Sequence, residues 1–250
     1  MTRLALAAIV VAIAGHAAAR ELVHKVSPQY PIRALDRGEE GWVEISFQIA
    51  ADGVVISPKV VAAEPKGRFD KSAVAAVAQW RYEASGADEA RTVVVTFSQL
   101  AAGSARQVVM EKLSAAAQAV REGREADADE TLEDIVDTGG LTLAELSVLE
   151  KVRGMRDYRA RRFVGAAVHF NRVLEIFGSR MDAKAVGDVL DVLIPAYINA
   201  GMFAEAVQTT DRWQRPDESF PPPLASALAS IRSALAAGRP IRLAPAAANQ

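Results

Sequence analysis

Hydrophobic and polar positions divide the chain into two stretches of different period. Val43, Ile45, Phe47 and Ile49 alternate with Trp42, Glu44, Ser46 and Gln48, the period-two signature of a half-buried strand. Asp52-Gly53 follows, a dipeptide that supplies positive φ for a tight hairpin. Val54 to Ala62 reads as the return strand, and Pro58, lacking an N–H, predicts a bulge or an edge there. Phe69, Ala73, Ala76, Val77 and Trp80 then share one face of a helix. Alternation resumes from Thr92 to Phe97, with Val93, Val95 and Phe97 on one side. The order short helix, strand, strand, helix, strand predicts an α+β unit with one helix packed on a small antiparallel sheet.

Beyond Gln99 the strand signal stops. Residues 105 to 137, 141 to 177 and 182 to 214 are rich in Ala, Leu, Glu and Arg at helical spacing. Breaks fall at Gly139-Gly140, Gly178-Ser179 and Pro216. A last amphipathic helix, about Leu224 to Ala237, follows Pro221-Pro222-Pro223 and stops at Gly238 and Pro240. The expected layout is a leader over 1–19, an α+β domain over 20–100, an all-α domain over 105–238 and a loose tail over 239–250. Ala101 to Ser104 forms the joint.

The leader is read from its own pattern. Arg3 precedes an unbroken apolar run from Leu4 to Ala14, the length of a signal h-region of about 7–15 residues. Ala17-Ala18-Ala19 supplies a small-residue cleavage site, so a mature chain starting at Arg20 is expected in the periplasm, without a stable membrane span. The alternative is an uncleaved inner-membrane anchor, although a spanning helix needs about 20 apolar residues.

An ordered series in the first stretch points to a family. Pro28-Gln29-Tyr30-Pro31, Glu40-Gly41-x-Val43, Asp52-Gly53-x-Val55, Phe69-Asp70 and Trp80-Arg81-Tyr82-Glu83 together resemble the TonB C-terminal domain, over roughly residues 25–99. Each motif also has a structural job. Tyr30-Pro31 starts the short helix, Gly41 opens a strand, and Trp80 and Tyr82 close the helix over the sheet with Arg81 outward. The resemblance implies a binding domain that adds an extended peptide of an outer-membrane transporter to its sheet edge. The matching edge is the last strand, Arg91 to Phe97, with Thr92, Val94 and Thr96 on its exposed face. Gln29 belongs to the motif beside that peptide. Ser27 stands where the family usually has Gln, and Ala84 where it usually has Pro. The family works through a long Pro-rich spacer from a membrane anchor. Here about five residues separate the leader from the domain, and five extended residues span at most ~18 Å.

Within the helical stretch, Gly123, Ala128, Leu132 and Ile135-Val136 recur as Arg161, Ala166, Phe170 and Val173-Leu174, then as Gly201, Ala206, Thr210 and Trp213. The internal spacing resembles a degenerate tetratricopeptide-repeat (TPR-like) array of three helix pairs plus a capping helix. Successive units are offset by 38 and 40 residues rather than the usual ~34, and a generic helical bundle stays open as the other reading. Either arrangement buries a continuous core and leaves a face for partners.

Composition narrows the chemistry. The 250 residues hold 29 Lys and Arg against 31 Asp and Glu, so no global positive field favours nucleic acid. The absence of cysteine removes disulfides, thiolate metal sites and Cys nucleophiles. His24 and His169 fall in different halves, and no hydrolase, protease or phosphate-loop motif occurs. No cofactor or metal is expected, and His169 is placed at the edge of helix packing. An envelope enzyme acting on cell-wall polymers would rest on acids that nothing distinguishes. Two charge runs remain. Asp127, Asp129, Glu130, Glu133, Asp134 and Asp137 are acidic, and Lys151, Arg153, Arg156, Arg159, Arg161 and Arg162 are basic. They read either as neighbouring faces that attract one another or as a strip of Arg156, Arg159 and Arg162 at i, i+3, i+6 for a second, acidic partner. The expectation is a non-catalytic periplasmic adaptor that binds an envelope or outer-membrane protein, the alternative a membrane-anchored energy transducer of the TonB type.

Overall fold

The computed structural model describes residues 20–98, 106–178 and 181–241. The expected leader over 1–19, the joint at Ala101 to Ser104 and the tail beyond Ile241 lie outside the described residues.

The first half is built on a three-stranded antiparallel sheet. Its strands are β2 (Gly41–Ile49), β3 (Val55–Glu64) and β5 (Glu89–Phe97), in the order β3-β2-β5. A short helix α1 (Ile32–Asp36) precedes the sheet, and α2 (Asp70–Val77) packs on one face of it. Val43, Ile45, Phe47 and Ile49 point to that face, where Phe69, Ala73 and Val77 meet Val95 and Phe97 of β5. The period-two pattern therefore fixes the register. Phe69 stacks on Phe97 with ring centroids 4.4 Å apart, and Tyr30 lies edge-on to both. Gly41 is required by close approach, since a Cβ there would lie 2.4 Å from the Glu64 carbonyl oxygen and 2.7 Å from the Phe69 ring. Asp52-Gly53 makes the β2–β3 turn with Gly53 at φ 89°.

A second, two-stranded sheet pairs β1 (Leu22–His24) with β4 (Arg81–Tyr82). Trp80 and Tyr82 are buried and Arg81 is exposed, as the alternation implies. Trp80 Nε1–H donates to the Val26 carbonyl at 2.8 Å and so ties the incoming chain to the end of α2. The β1 strand has no signature of its own in the sequence.

The second half is a stack of helices. The first two are α3 (Gln107–Glu122) and α4 (Glu125–Thr138). Next come α5 (Leu143–Arg159) and α6 (Phe163–Phe177), then α7 (Ala183–Asn199) and α8 (Phe203–Arg212), with α9 (Pro222–Ala236) against α8. The three pairs share one turn geometry. Gly123, Arg161 and Gly201 have φ of 78°, 57° and 75°. The next residue closes the same bond in each pair, from Arg124 N–H to Ala119 O, Arg162 N–H to Asp157 O and Met202 N–H to Tyr197 O, at 2.9, 2.8 and 2.8 Å. Five residues after each turn glycine or arginine stands a fully buried alanine, Ala128, Ala166 or Ala206. In the middle pair Gly154 lets α5 approach α6, since a Cβ there would meet the Phe170 ring at 2.8 Å. No helix among the described residues is long and apolar enough to cross a membrane.

The halves dock face to face, which corrects the expected half-exposed sheet. Trp42 is only 2% exposed and belongs to the core formed by α3, α4 and α5. Ala62 of β3 and Val94 of β5 pack against the same core. Val94 and Thr96 are therefore half-buried, and only Thr92 of the three expected face residues is open. Glu40 reaches across to accept the Leu143 N–H at 2.9 Å, holding the first turn of α5 from the sheet domain. Thr142 and Glu145 complete a capping box at the same helix start.

Candidate functional site

The two edges of the main sheet differ in shape. Along β3 the register slips twice, and Ser57 and Pro58 stand between the pairs Gln48–Ile56 and Ser46–Lys59. Ser57 is at φ 53°, so Pro58 sits in a bulge on an edge strand, as its missing donor requires. These features blunt the β3 edge. By contrast, β5 pairs with β2 without interruption from Gly41–Phe97 to Ile49–Glu89. Its other side has no strand partner among the described residues. Alternate residues of β5 thus turn N–H and C=O groups away from the sheet along a regular line.

Side chains on β5 divide between the two faces. Val93, Val95 and Phe97 pack toward α2. Arg91 lies on that side also, with Nη2 2.7 Å from Glu89, Nη1 donating to the Arg20 carbonyl at 3.0 Å, and its guanidinium 4.8 Å from the Tyr82 ring centre. Arg91 is on the edge strand as expected, and its side chain is engaged by Glu89, the Arg20 carbonyl and the Tyr82 ring. Thr92 and Val94 face the helices and line a cleft of about 210 Å³ with α6, Tyr197 and Met202. Ser27 and Gln29 are exposed, on a segment anchored by Val26 and Tyr30. Tyr30 touches Phe97, with ring centroids 5.7 Å apart, so this segment meets the far end of β5.

The inner end of the cleft is built from ion pairs that join the halves. Arg172 of α6 lies 2.7 Å from Glu44 of β2, 3.6 Å from Glu150 of α5, and 4.8 Å over the Trp42 ring. Glu150 has no exposed side-chain surface, and it also meets Arg153 at 3.1 Å and His169 Nδ1 at 2.8 Å. Burial pushes the Glu150 carboxyl up, but His169, Arg153 and Arg172 outweigh burial and hold it below its ordinary value. Glu64 of β3 shares Arg153 at 3.7 Å, and there burial wins and the carboxyl is raised. Tyr197 at the outer end has its hydroxyl pushed up to about 12, first by burial, with Glu205 and Glu175 adding to the rise.

The arginine strip does not form one face. Arg161, with φ 57°, ends the turn after α5, so Arg162 starts α6 instead of continuing the row of Arg156 and Arg159. Arg156 pairs with Asp129 and, at 3.1 Å, with Asp157. Arg162 pairs with Asp157 at 3.0 Å and Glu125 at 4.0 Å, which leaves Arg159 exposed between them. Arg156–Asp129 joins the two runs, while Asp127 pairs with Arg124, Asp134 with Lys112, and Arg153 with Glu150 and Glu64. The sequence reading missed Glu150 and Arg172, and the signal available was an aromatic, Trp42, on the strand face assigned to solvent.

Comparison with known proteins bears on the first half alone. Residues 26–100 match the family described as Gram-negative bacterial TonB protein C-terminal. The chain is similar to Protein TonB of Yersinia enterocolitica, 35% identical over 71 residues, which are 28% of each protein. It is also similar to Protein TonB of Escherichia coli (strain K12), 38% identical over 56 residues, 22% of this chain and 23% of that protein. The matched part is thus less than a third of these relatives' length. Among solved structures it is similar to the Pseudomonas aeruginosa TonB CTD determined by solution NMR, at 29% identity and a TM-score of 0.30, covering 35% of this chain and 93% of that one. The family match over residues 26–100 coincides with the motif series from Pro28 to Glu83, so the similarity to the TonB C-terminal domain is confined to that stretch.

Proposed function

We propose that the chain is a non-catalytic periplasmic adaptor whose TonB-type domain takes an extended segment of an envelope or outer-membrane protein as an added strand on β5. The observation that carries this reading is the contrast of edges. β5 offers an unbroken run of nine residues whose outer side has no strand partner among the described residues, whereas β3 is bulged twice and carries Pro58. Backbone bonding along such an edge supplies affinity and alternate side chains supply identity. Thr92, Val94 and Thr96 would border the added strand, and Ser27 and Gln29 would meet its end near Phe97. The helical half, read as a degenerate tetratricopeptide-repeat array, serves as a scaffold docked on the sheet.

The test is a photo-crosslinking residue at Thr92 in cells. The expected product is a covalent adduct with an envelope protein, lost when the crosslinker is moved to Lys59 on the bulged edge. Equal capture from both positions would sink the assignment of the edge. A membrane-anchored transducer is the competing reading, favoured by the similarity to Protein TonB itself. Intact mass of protein from the envelope separates the two: a chain beginning at Arg20 supports the adaptor, and a retained leader supports the anchor.

A further inference from the structure

The cleft beside β5 has a wall that the TonB-type domain does not supply. Opposite Thr92 and Val94 stand Val168 and Asn171 of α6, and Tyr197 of α7 and Met202 close the outer end. Val168 is 39% exposed, and Val164, one turn earlier on the same side of α6, is 57% exposed. Val168 is therefore partly uncovered in the cleft beside β5, whose outer side has no strand partner among the described residues, and Val164 lies one turn along α6 beyond the cleft lining. The two valines continue the contact that β5 already makes with α6.

Charge in the cleft is unbalanced. The lining holds two carboxylates, Glu44 and Glu175, and one guanidinium, Arg172. Arg172 is shared between Glu44 and Glu150, so it carries no spare positive charge. Glu175 is met through both oxygens by Arg212, whose side chain is mostly exposed. Glu205 adds a further negative charge near Tyr197. With Arg212 offsetting Glu175, exposed Glu205 is the carboxylate at the outer end without an ion pair among the described residues, and a cation on a bound peptide would meet it or compete with Arg212 for Glu175.

We propose that α6, with Tyr197 and Met202, is the specificity wall of the strand-addition site and selects an extended peptide carrying a basic residue. The proposal rests on the strand-addition reading given above. A strand paired to β5 lies about 4.8 Å from it and turns every second side chain toward the helices. Branched or small apolar residues of the peptide meet Val164 and Val168, and a Lys or Arg on the same face competes with Arg212 for Glu175. The helical half thus reads side chains that the sheet domain alone would leave in water.

A display library of random nine-residue peptides, selected on the full-length chain, tests this. Selected peptides are then synthesised and titrated against variants by fluorescence anisotropy. The expected peptides carry a Lys or Arg an even number of positions from apolar residues and crosslink to Thr92. Val168→Trp, which fills the cleft, should weaken them about tenfold or more. Val164→Lys, at a well-exposed position, should do the same if the larger side chain at 168 disturbs folding. Glu175→Gln should cost about two- to fivefold, and only for peptides that keep the basic residue. Peptides that crosslink to Thr92 yet bind all three variants as tightly as the parent would overturn the wall and leave strand addition standing. Failure to capture any peptide at Thr92 overturns both. A chain dimer that Val168→Trp dissociates would make a second copy the occupant and overturn the basic-peptide assignment.

Discussion

The two faces of strand β2 are both covered, by different means. Toward α2 the residues Val43, Ile45, Phe47 and Ile49 form one apolar row inside a core of their own domain. Toward the helices the row runs Trp42, Glu44, Ser46, Gln48, and it is buried at Trp42, ion-paired at Glu44 and open at Gln48. The first face is closed by sequence-near elements through apolar and aromatic side chains. The second is closed by helices a hundred residues away, through one aromatic and a set of charges. A face of the second kind resembles an interface between proteins more than a domain core, with a buried aromatic anchor and polar surroundings. The helical half occupies, within one chain, a surface that a free-standing sheet domain would present to solvent.

That comparison breaks first at Trp42. Trp42→Ala should cost about 3–5 kcal/mol, because the ring fills the joint between both halves. Chemical denaturation should then resolve two transitions where the parent has one, since the apolar anchor of docking is gone. An equal loss with a single transition would mean that this face is an ordinary core. Phe47→Ala, on the other face, should cost a similar amount without separating the halves.

The next test exploits the two carboxylates that share Arg153. Glu150 is surrounded by Arg153, Arg172 and His169, and Glu64 meets Arg153 at 3.7 Å, with Lys66 near, while being pulled from water. Glu150→Gln should lose about 2–3 kcal/mol at neutral pH, since it removes charge-assisted bonds in a closed site. The depressed Glu150 carboxyl contributes stability above its ordinary value of 4.5, and this is lost as pH falls through its lower folded value. The gap between parent and Glu150→Gln should therefore narrow below pH 4.5. Glu64 has the opposite sign. Its raised carboxyl favours the fold below 4.5, and that contribution disappears as pH rises through the folded value. Glu64→Gln should accordingly be close to neutral at pH 7. Denaturation midpoints of both variants at pH 4 and pH 7 check the pair, and parallel slopes would show that Arg153 does not discriminate between them.

The contrast also explains what could be read in advance. The inner face was legible because its period is local: Val43 to Ile49 and Val93 to Phe97 each declare a face, and Asp52-Gly53 declares the turn. The helix pairs were legible through Gly123, Arg161 and Gly201, whose common positive φ is one turn repeated three times. That alignment also held the clue against the arginine strip, since it placed Arg161 at a turn and Arg162 beyond it. Charge spacing alone treats the run as one helix and conceals the break. Strand β1 was illegible because its partner, β4, lies far along the chain and the two are short. Trp42, Glu44 and Arg172 were illegible as a site because their meaning depends on which helix arrives, and no local pattern encodes that. The edge of β5 was legible only through the family series, and the helix beside it was not.

The smallest expected effect concerns the two edges themselves. Pro58 and Lys59 lie on an exposed, bulged strand, so changing them touches little packing. A Pro58→Val, Lys59→Val double variant should shift stability by no more than about 0.5 kcal/mol. Its consequence belongs to association. Removing the ring that lacks a donor and the charge that repels a neighbouring strand makes β3 a second straight, apolar edge next to Val60 and Val61, which are already exposed. Sedimentation velocity should then show concentration-dependent dimers that the parent lacks at the same concentration. If the double variant stays monomeric while Thr92 crosslinking is unchanged, bulges at Ser57 and Val61 alone are enough to close that edge. The asymmetry between β3 and β5 would then be held by backbone geometry, with the side chains of Pro58 and Lys59 dispensable.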